Sequence, residues 1–138
     1  MRFIIGADED QSVVGAIAEH LKERGHTVEV LPVKVWGEIA TTVANAVAAK
    51  KADQGIVCCW TGTGVTMAAN KVRGIRAALC TDAQTAAGAR KWNDANVLGL
   101  SLRLLSQPIA KEIIDAWLDA SYSGSEGESL EIIRRSER

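Results

Sequence analysis

The residues of this chain best suited to chemistry stand together. Residues 58–64 read Cys-Cys-Trp-Thr-Gly-Thr-Gly, after the apolar run Gly55-Ile56-Val57 and before a helix-forming stretch. That order sets a thiol and a hydroxyl beside a glycine loop at a strand-to-helix junction. Amide N–H groups at such a junction stabilise a developing oxyanion, helped by the helix dipole. Glycines let the backbone come close to a ligand. Cys59 sits where the helix start favours a thiolate, and a thiolate there can take a proton from a carbon next to a carbonyl. The competing reading is a small buried hydrophobe, the usual state of a free cysteine. Cys58 points to the opposite face of the strand and reads as core, as does Cys80. The loop lacks the Gly-Lys-Ser/Thr ending of a nucleoside-triphosphate loop, which removes that function. Asp8 follows the first apolar run as a ligand contact or as the cap of a helix starting near Asp10 or Ser12. His20 and His26 fall in a helix and the turn after it, as surface residues, so no histidine remains for an acid–base role.

The elements that must position these residues alternate along the chain. Apolar runs occur at Phe3-Ile4-Ile5, Val28 to Leu31, Ile56 to Cys59, Ala77 to Cys80 and Val97 to Leu100. Between them, Val14, Ile17, Ala18 and Leu21 share one helical face, as do Ile39, Val43, Ala44 and Val47, and Ile109, Ile113, Ala116 and Trp117. Gly25 suits the residue just past a helix end, and Pro108 suits a first helical turn. Strand–helix repetition predicts an α/β fold: a Rossmann-like three-layer α/β/α sandwich with a five-stranded parallel sheet. Ligands of such sheets bind beyond the carboxyl ends of the strands. That edge would gather Asp8, Glu9 and Asp10, then Cys59 to Gly64, Thr81 and Asp82, and Ser101 and Arg103. Residues 1–138 read as one domain, with Ser121 to Ser129 a loop before a short terminal element.

Composition narrows the classes of function. The chain has 138 residues, 47 % hydrophobic but only 4 % aromatic, so its core must be built from Ala, Val, Ile and Leu. A net charge of −1 argues against a nucleic-acid protein held by phosphate contacts. No run reaches the roughly 18 apolar residues of a membrane span, and Met1-Arg2 leads straight into a strand pattern with no signal peptide. Three cysteines, two adjacent, fit neither a disulfide framework nor CxxC zinc spacing. A reducing cytoplasm is the expected compartment.

Two further blocks, Ala68-Ala69-Asn70-Lys71-Val72-Arg73-Gly74-Ile75-Arg76-Ala77-Ala78-Leu79 and Asn93-Asp94-Ala95-Asn96-Val97-Leu98, complete a recognisable pattern. With the thiol loop, the chain resembles the ribose-5-phosphate isomerase B and galactose-6-phosphate isomerase family from Gly6-Ala7-Asp8 to about Ala116. The resemblance implies an aldose–ketose isomerase that needs no metal or organic cofactor and moves a proton between C1 and C2 through an enediolate. It implies Cys59 as the base, Thr61 and the amides around Gly62 and Gly64 as the anion hole, and Asn93 as a further hold on the enediolate oxygen. Asp8 matches a substrate contact. Family members are dimers or larger assemblies with sites shared between subunits, so residues 121–138 are expected to touch a partner.

The departures from that family carry information. Trp92 stands where many members have the histidine that opens the sugar ring, and Glu9 where many have one facing the phosphate. Trp60 replaces a glycine, and Trp36 and Ile39 fall where tyrosines are common. A carboxylate at Glu9 would repel a phosphate dianion and instead accept bonds from hydroxyls. Trp36, Trp60 and Trp92 offer apolar faces to a sugar or serve in packing. No terminal arginine has a clear match to the usual phosphate clamp; Arg134, Arg135 and Arg138 are the substitutes on offer, or a solvated tail. The expected substrate is a sugar or sugar phosphate, contacted by Asp8, Glu9, Trp60, Gly62, Thr63, Gly64, Trp92 and Arg103. A binding paralogue that does not isomerise is the main rival, and related enolisation of a keto acid a third reading.

Overall fold

The computed structural model describes residues Met1–Arg138 throughout. Five strands, β1 (Arg2–Ala7), β2 (Thr27–Val30), β3 (Gln54–Cys59), β4 (Ala77–Leu79) and β5 (Val97–Ser101), pair in parallel in the order β2-β1-β3-β5-β4. Six helices accompany them: α1 (Ser12–Glu23), α2 (Trp36–Ala48), α3 (Thr63–Ala69), α4 (Ala83–Asn93), α5 (Gln107–Asp119) and α6 (Gly127–Ser136). The parallel α/β/α sandwich expected from the alternation is the fold observed.

Strand alternation divides the core into two layers. Phe3, Ile5, Ile56, Cys58, Leu98 and Leu100 face α1, α4 and α5, whereas Ile4, Val57, Cys59 and Val97 face α2 and α3. Both faces of β3 are covered, so all six of its residues are buried. No helix is long and apolar enough to cross a membrane.

The predicted helical faces of α1 and α2 are the buried ones. Gly25 follows the α1 cap with φ 91°, and Pro108 lies in the first turn of α5. In α5 the buried stripe is Ala110, Ile113, Ile114 and Trp117, and Ile109 is 40 % exposed. Both stripes satisfy the helical period. Ile113 and Trp117 belong to both, and the Trp117 indole Nε1 donates to the buried Gln54 Oε1 at 2.8 Å across the layer. The loop expected over Ser121 to Ser129 is shorter than predicted, because α6 already begins at Gly127. Glu128 in its first turn and Arg134 and Arg135 in its last complement the helix dipole. The expectation of two surface histidines also needs correction: the His20 side chain is 15 % exposed and ties α1 to α5 through Asp115 Oδ1 at 2.7 Å.

Trp117→Phe removes one indole N–H and strands a buried amide oxygen. We expect it to lower the unfolding free energy by about 1–3 kcal/mol, read from the urea midpoint. An unchanged midpoint would show that the bond does not hold α5 in place.

Candidate active site

The site follows from strand order. β1 has β2 on one side and β3 on the other, so the chain leaves β1 in one direction and returns past it in the other. Crevices at such reversals open at the carboxyl edge of the sheet. Asp8 and Cys59 sit there on neighbouring strands: Ala7 pairs with Cys58, and the Asp8 amide donates to the Cys58 carbonyl at 3.2 Å. An open cavity of about 290 Å³ lies beside them, lined by Asp8, Trp36, Cys59, Trp60, Thr61, Thr63 and Gly64.

Cys59 is 5 % exposed; its body packs in the layer under α2 and α3 while the residue borders the cavity. The Gly62 amide donates to its Sγ at 3.2 Å, which fixes where the sulfur points. Gly62 has φ 77°, and a Cβ there would meet the Leu100 carbonyl carbon at 2.9 Å; only glycine lets this amide reach the sulfur. Thr61 Oγ1 and Thr63 Oγ1 lie 2.8 Å apart on the exposed rim. Thr63 and Gly64 open α3, where amides have no acceptor inside the helix. A Cβ at Gly64 would stand 3.0 Å from the Trp36 indole. Trp36 thereby lies over the loop as a cavity wall, 48 % exposed. Below, the Trp60 carbonyl accepts from Ser101 Oγ and from the Arg103 amide, each at 3.0 Å, and the Cys59 carbonyl from the Leu102 amide at 2.9 Å. These bonds anchor the loop to the end of β5.

Asp8 does not cap α1, whose N-cap is Gln11 without a side-chain bond. Its Oδ1 is buried with no hydrogen-bond partner. Burial, and secondly the Glu9 charge, push its carboxyl above the ordinary carboxylate range. Asp8 lines the cavity, so this unsatisfied acceptor belongs to a residue that a ligand hydroxyl can meet. Cys58 and Cys80 are buried on the other side of the sheet, and burial pushes both thiols up to about 12.

The sequence-selected residues thus divide. Asp8, Cys59, Trp60, Thr61, Thr63 and Gly64 meet at one cavity, and Gly62 shapes it. Glu9 stands next to it, its Oε1 accepting from Gln11 Nε2 at 3.4 Å. Arg103 is attached through its backbone. Asn93, at the end of α4, lines a different cavity of about 460 Å³ with Asn70, Arg76 and residues of α6. Trp92 folds back toward Gly88, with the Lys91 ammonium 5.5 Å over its ring. Arg134 and Arg135 pair with Glu131. Trp36, which the sequence offers as a sugar-facing or a packing aromatic, joins the site as a wall of the cavity. Its signal was an aromatic at the start of a helix following a strand, at the ligand edge. Nowhere do three or more His, Cys, Asp or Glu side chains cluster as metal ligands would.

Fold and site together define a parallel α/β protein with a thiol and a carboxyl at its ligand edge. The chain belongs to the Ribose/Galactose Isomerase family, which matches residues 3–134. It is 42 % identical over 127 residues to the D-erythrulose-4-phosphate isomerase of Pectobacterium atrosepticum, covering 87 % of this chain and 84 % of that one. The ribose-5-phosphate isomerase B of Clostridium thermocellum superposes with a TM-score of 0.93 at 37 % identity, over 98 % of this chain and 96 % of that one. The Mycoplasma genitalium ribose-5-phosphate isomerase B, solved with bound ribulose-5-phosphate, gives 0.90 at 35 % identity, over 97 % and 94 %.

Two outcomes check this geometry. In the native protein an alkylating reagent at pH 8 should modify Cys59 alone, since thiols at about 12 stay protonated; labelling of Cys58 or Cys80 at the same rate, read by mass spectrometry, would contradict it. Asp8 has a folded pKa above its unfolded value of 3.8, so the folded state binds that proton more tightly. The cost of burying its charge is absent below about pH 4 and complete above the raised folded value. Asp8→Asn should therefore raise Tm at pH 7, with the gain vanishing as the pH falls toward 4. No gain at pH 7 would show that Asp8 is not strained.

Proposed function

We propose that this aldose–ketose isomerase works through Cys59 as its proton-transfer base, on a sugar phosphate. The observation that carries this reading is a cysteine, its sulfur oriented by a loop amide, at the wall of a cavity that Asp8 also lines. As thiolate, Cys59 takes the hydrogen from the carbon beside the carbonyl. The C–H electrons form the carbon–carbon double bond of an enediolate, and the carbonyl pair moves onto oxygen. The thiol then returns the proton to the neighbouring carbon, and the hydroxyl proton passes to the former carbonyl oxygen. No electron is gained or lost, and the base is regenerated. Thr61, Thr63 and the first amides of α3 face the oxygen that becomes negative, and Asp8 accepts a bond from a substrate hydroxyl. Glu9 and Arg103 flank the cavity, the first for hydroxyls and the second for the far end of the substrate. The relatives named above, isomerases of sugar phosphates, support the substrate class.

The site as built on one chain is open, and the exposed Val33, Val35, Trp36, Trp60 and Met67 lie on this half of the chain. We read this as a surface that a second copy covers in a homodimer or larger assembly. Asn93, Trp92 and the terminal residues 121–138 would then serve a neighbour's cavity. Three free cysteines support the cytoplasm as the working compartment.

Cys59→Ala should leave the fold and Tm close to wild type and lower kcat by at least about 10³-fold, the scale of a lost catalytic base. Cys59→Ser should fall between the two. Wild-type kcat in the folded alanine variant would remove Cys59 from the chemistry.

A further inference from the structure

The ionisable groups around the cavity narrow the substrate further. Cys59 and Asp8 are the two that line it. The whole chain has two histidines, and both are committed elsewhere. His20 is held between α1 and α5 by Asp115. His26 precedes β2 at the opposite end of the sheet, its Nδ1 3.0 Å from the Met1 amino group and its ring edge-on to Phe3. Cys59 ends β3, so the length of a strand, on the order of 15–20 Å, separates it from that end. A second copy would bring the same two histidines with the same partners; the Trp92 and Asn93 it would also bring carry no titratable proton, and its Glu131 and Glu137 are already paired with arginines. Glu9 lies beside the cavity with its carboxylate accepting from Gln11, and the isomerase reading engages it, like Asp8, on a substrate hydroxyl.

A furanose substrate needs more proton transfers than this set supplies. To open it, a proton leaves the anomeric hydroxyl, the ring C–O bond breaks, and its electron pair takes up a proton on the ring oxygen while the carbonyl forms. Catalysis of that step calls for a base at one oxygen and an acid at the other, before any base acts on carbon. The isomerisation already engages Cys59 on carbon and Asp8 on a hydroxyl. A four-carbon sugar 4-phosphate avoids the step. Its C4 oxygen is esterified, and its other hydroxyls lie too near the carbonyl to close anything larger than a four-membered ring.

We propose that this enzyme takes acyclic four-carbon sugar phosphates, interconverting a tetrulose 4-phosphate with the aldotetrose 4-phosphate, and that it does not catalyse ring opening. The proposal rests on the isomerase reading above, and the similarity to a D-erythrulose-4-phosphate isomerase agrees with it. The test follows conversion of D-erythrulose 4-phosphate and of D-ribose 5-phosphate by NMR over a range of concentrations of the full chain. The expected kcat/KM is higher for D-erythrulose 4-phosphate by roughly 100-fold, the lower end of what acid–base catalysis contributes. Conversion of D-ribose 5-phosphate should level off at the rate of spontaneous opening as enzyme is raised, while that of D-erythrulose 4-phosphate keeps rising in proportion. Equal kcat/KM values, or D-ribose 5-phosphate conversion that climbs past the spontaneous rate, would overturn the proposal and leave the isomerase reading standing. Turnover of neither sugar would overturn both.

Discussion

The parallel pairing of β1 with β3 is the constraint on which the site depends. The Asp8 amide bonded to the Cys58 carbonyl is the last rung of that ladder, and it fixes the carboxyl and the thiol on adjacent strand ends. Because side chains alternate, the rung also decides which cysteine serves. Cys58 goes under α1 and α5, and Cys59 goes to the α2–α3 side where the cavity opens. A one-residue slip of β3 would exchange them, sealing the useful thiol in one core layer and opening the cavity beside a residue meant for the other. The glycine loop comes next in the hierarchy. It must turn at the strand end without a side chain at residue 62, against the Leu100 carbonyl, for its amide to meet the sulfur.

Stability and function pull in different directions at this edge. The apolar layers on the two faces of the sheet hold the fold, and Cys59 is the one cavity residue that belongs to them. Asp8 adds nothing to that stability: one of its oxygens is buried without a donor, and its carboxyl is pushed up by burial. The indoles of Trp36 and Trp60 stay half in solvent rather than joining the core. Groups left unsatisfied by the chain itself are the ones a ligand or a neighbouring subunit can satisfy. That contrast separates Cys59, oriented at a cavity, from Cys58 and Cys80, which burial makes inert.

Local pattern carried most of this architecture. Apolar runs and helical spacing marked the five strands and the faces of α1 and α2, and strand alternation assigned Cys58 and Cys59 to opposite sides. The ligand edge followed from the parallel sheet, so Asp8 and residues 59–64 fell in one place. What stayed hidden depended on contacts distant in sequence. The strand order placing β5 between β3 and β4 leaves no mark in the alternation. The α5 face read as Ile109, Ile113, Ala116 and Trp117 proved to be Ala110, Ile113, Ile114 and Trp117, and nothing local announced the bond from Trp117 to Gln54, 63 residues away. Trp36 enters the site because Gly64 leaves room for its ring, a fit that neither residue announces alone. Asn93 and Trp92 were grouped with Cys59 by resemblance, whereas on one chain they stand at the end of α4, apart from it.

The central claim is that the Cys59 sulfur carries the hydrogen between two carbons of a sugar phosphate. The most direct measurement is deuterium entry at those carbons when substrate is incubated with enzyme in deuterated water, followed by NMR. Label is expected at the carbon next to the carbonyl with the wild type, and close to the uncatalysed background with Cys59→Ala, although that variant still binds substrate. Label entering at the same rate in both proteins would assign the hydrogen transfer to another group and contradict the account.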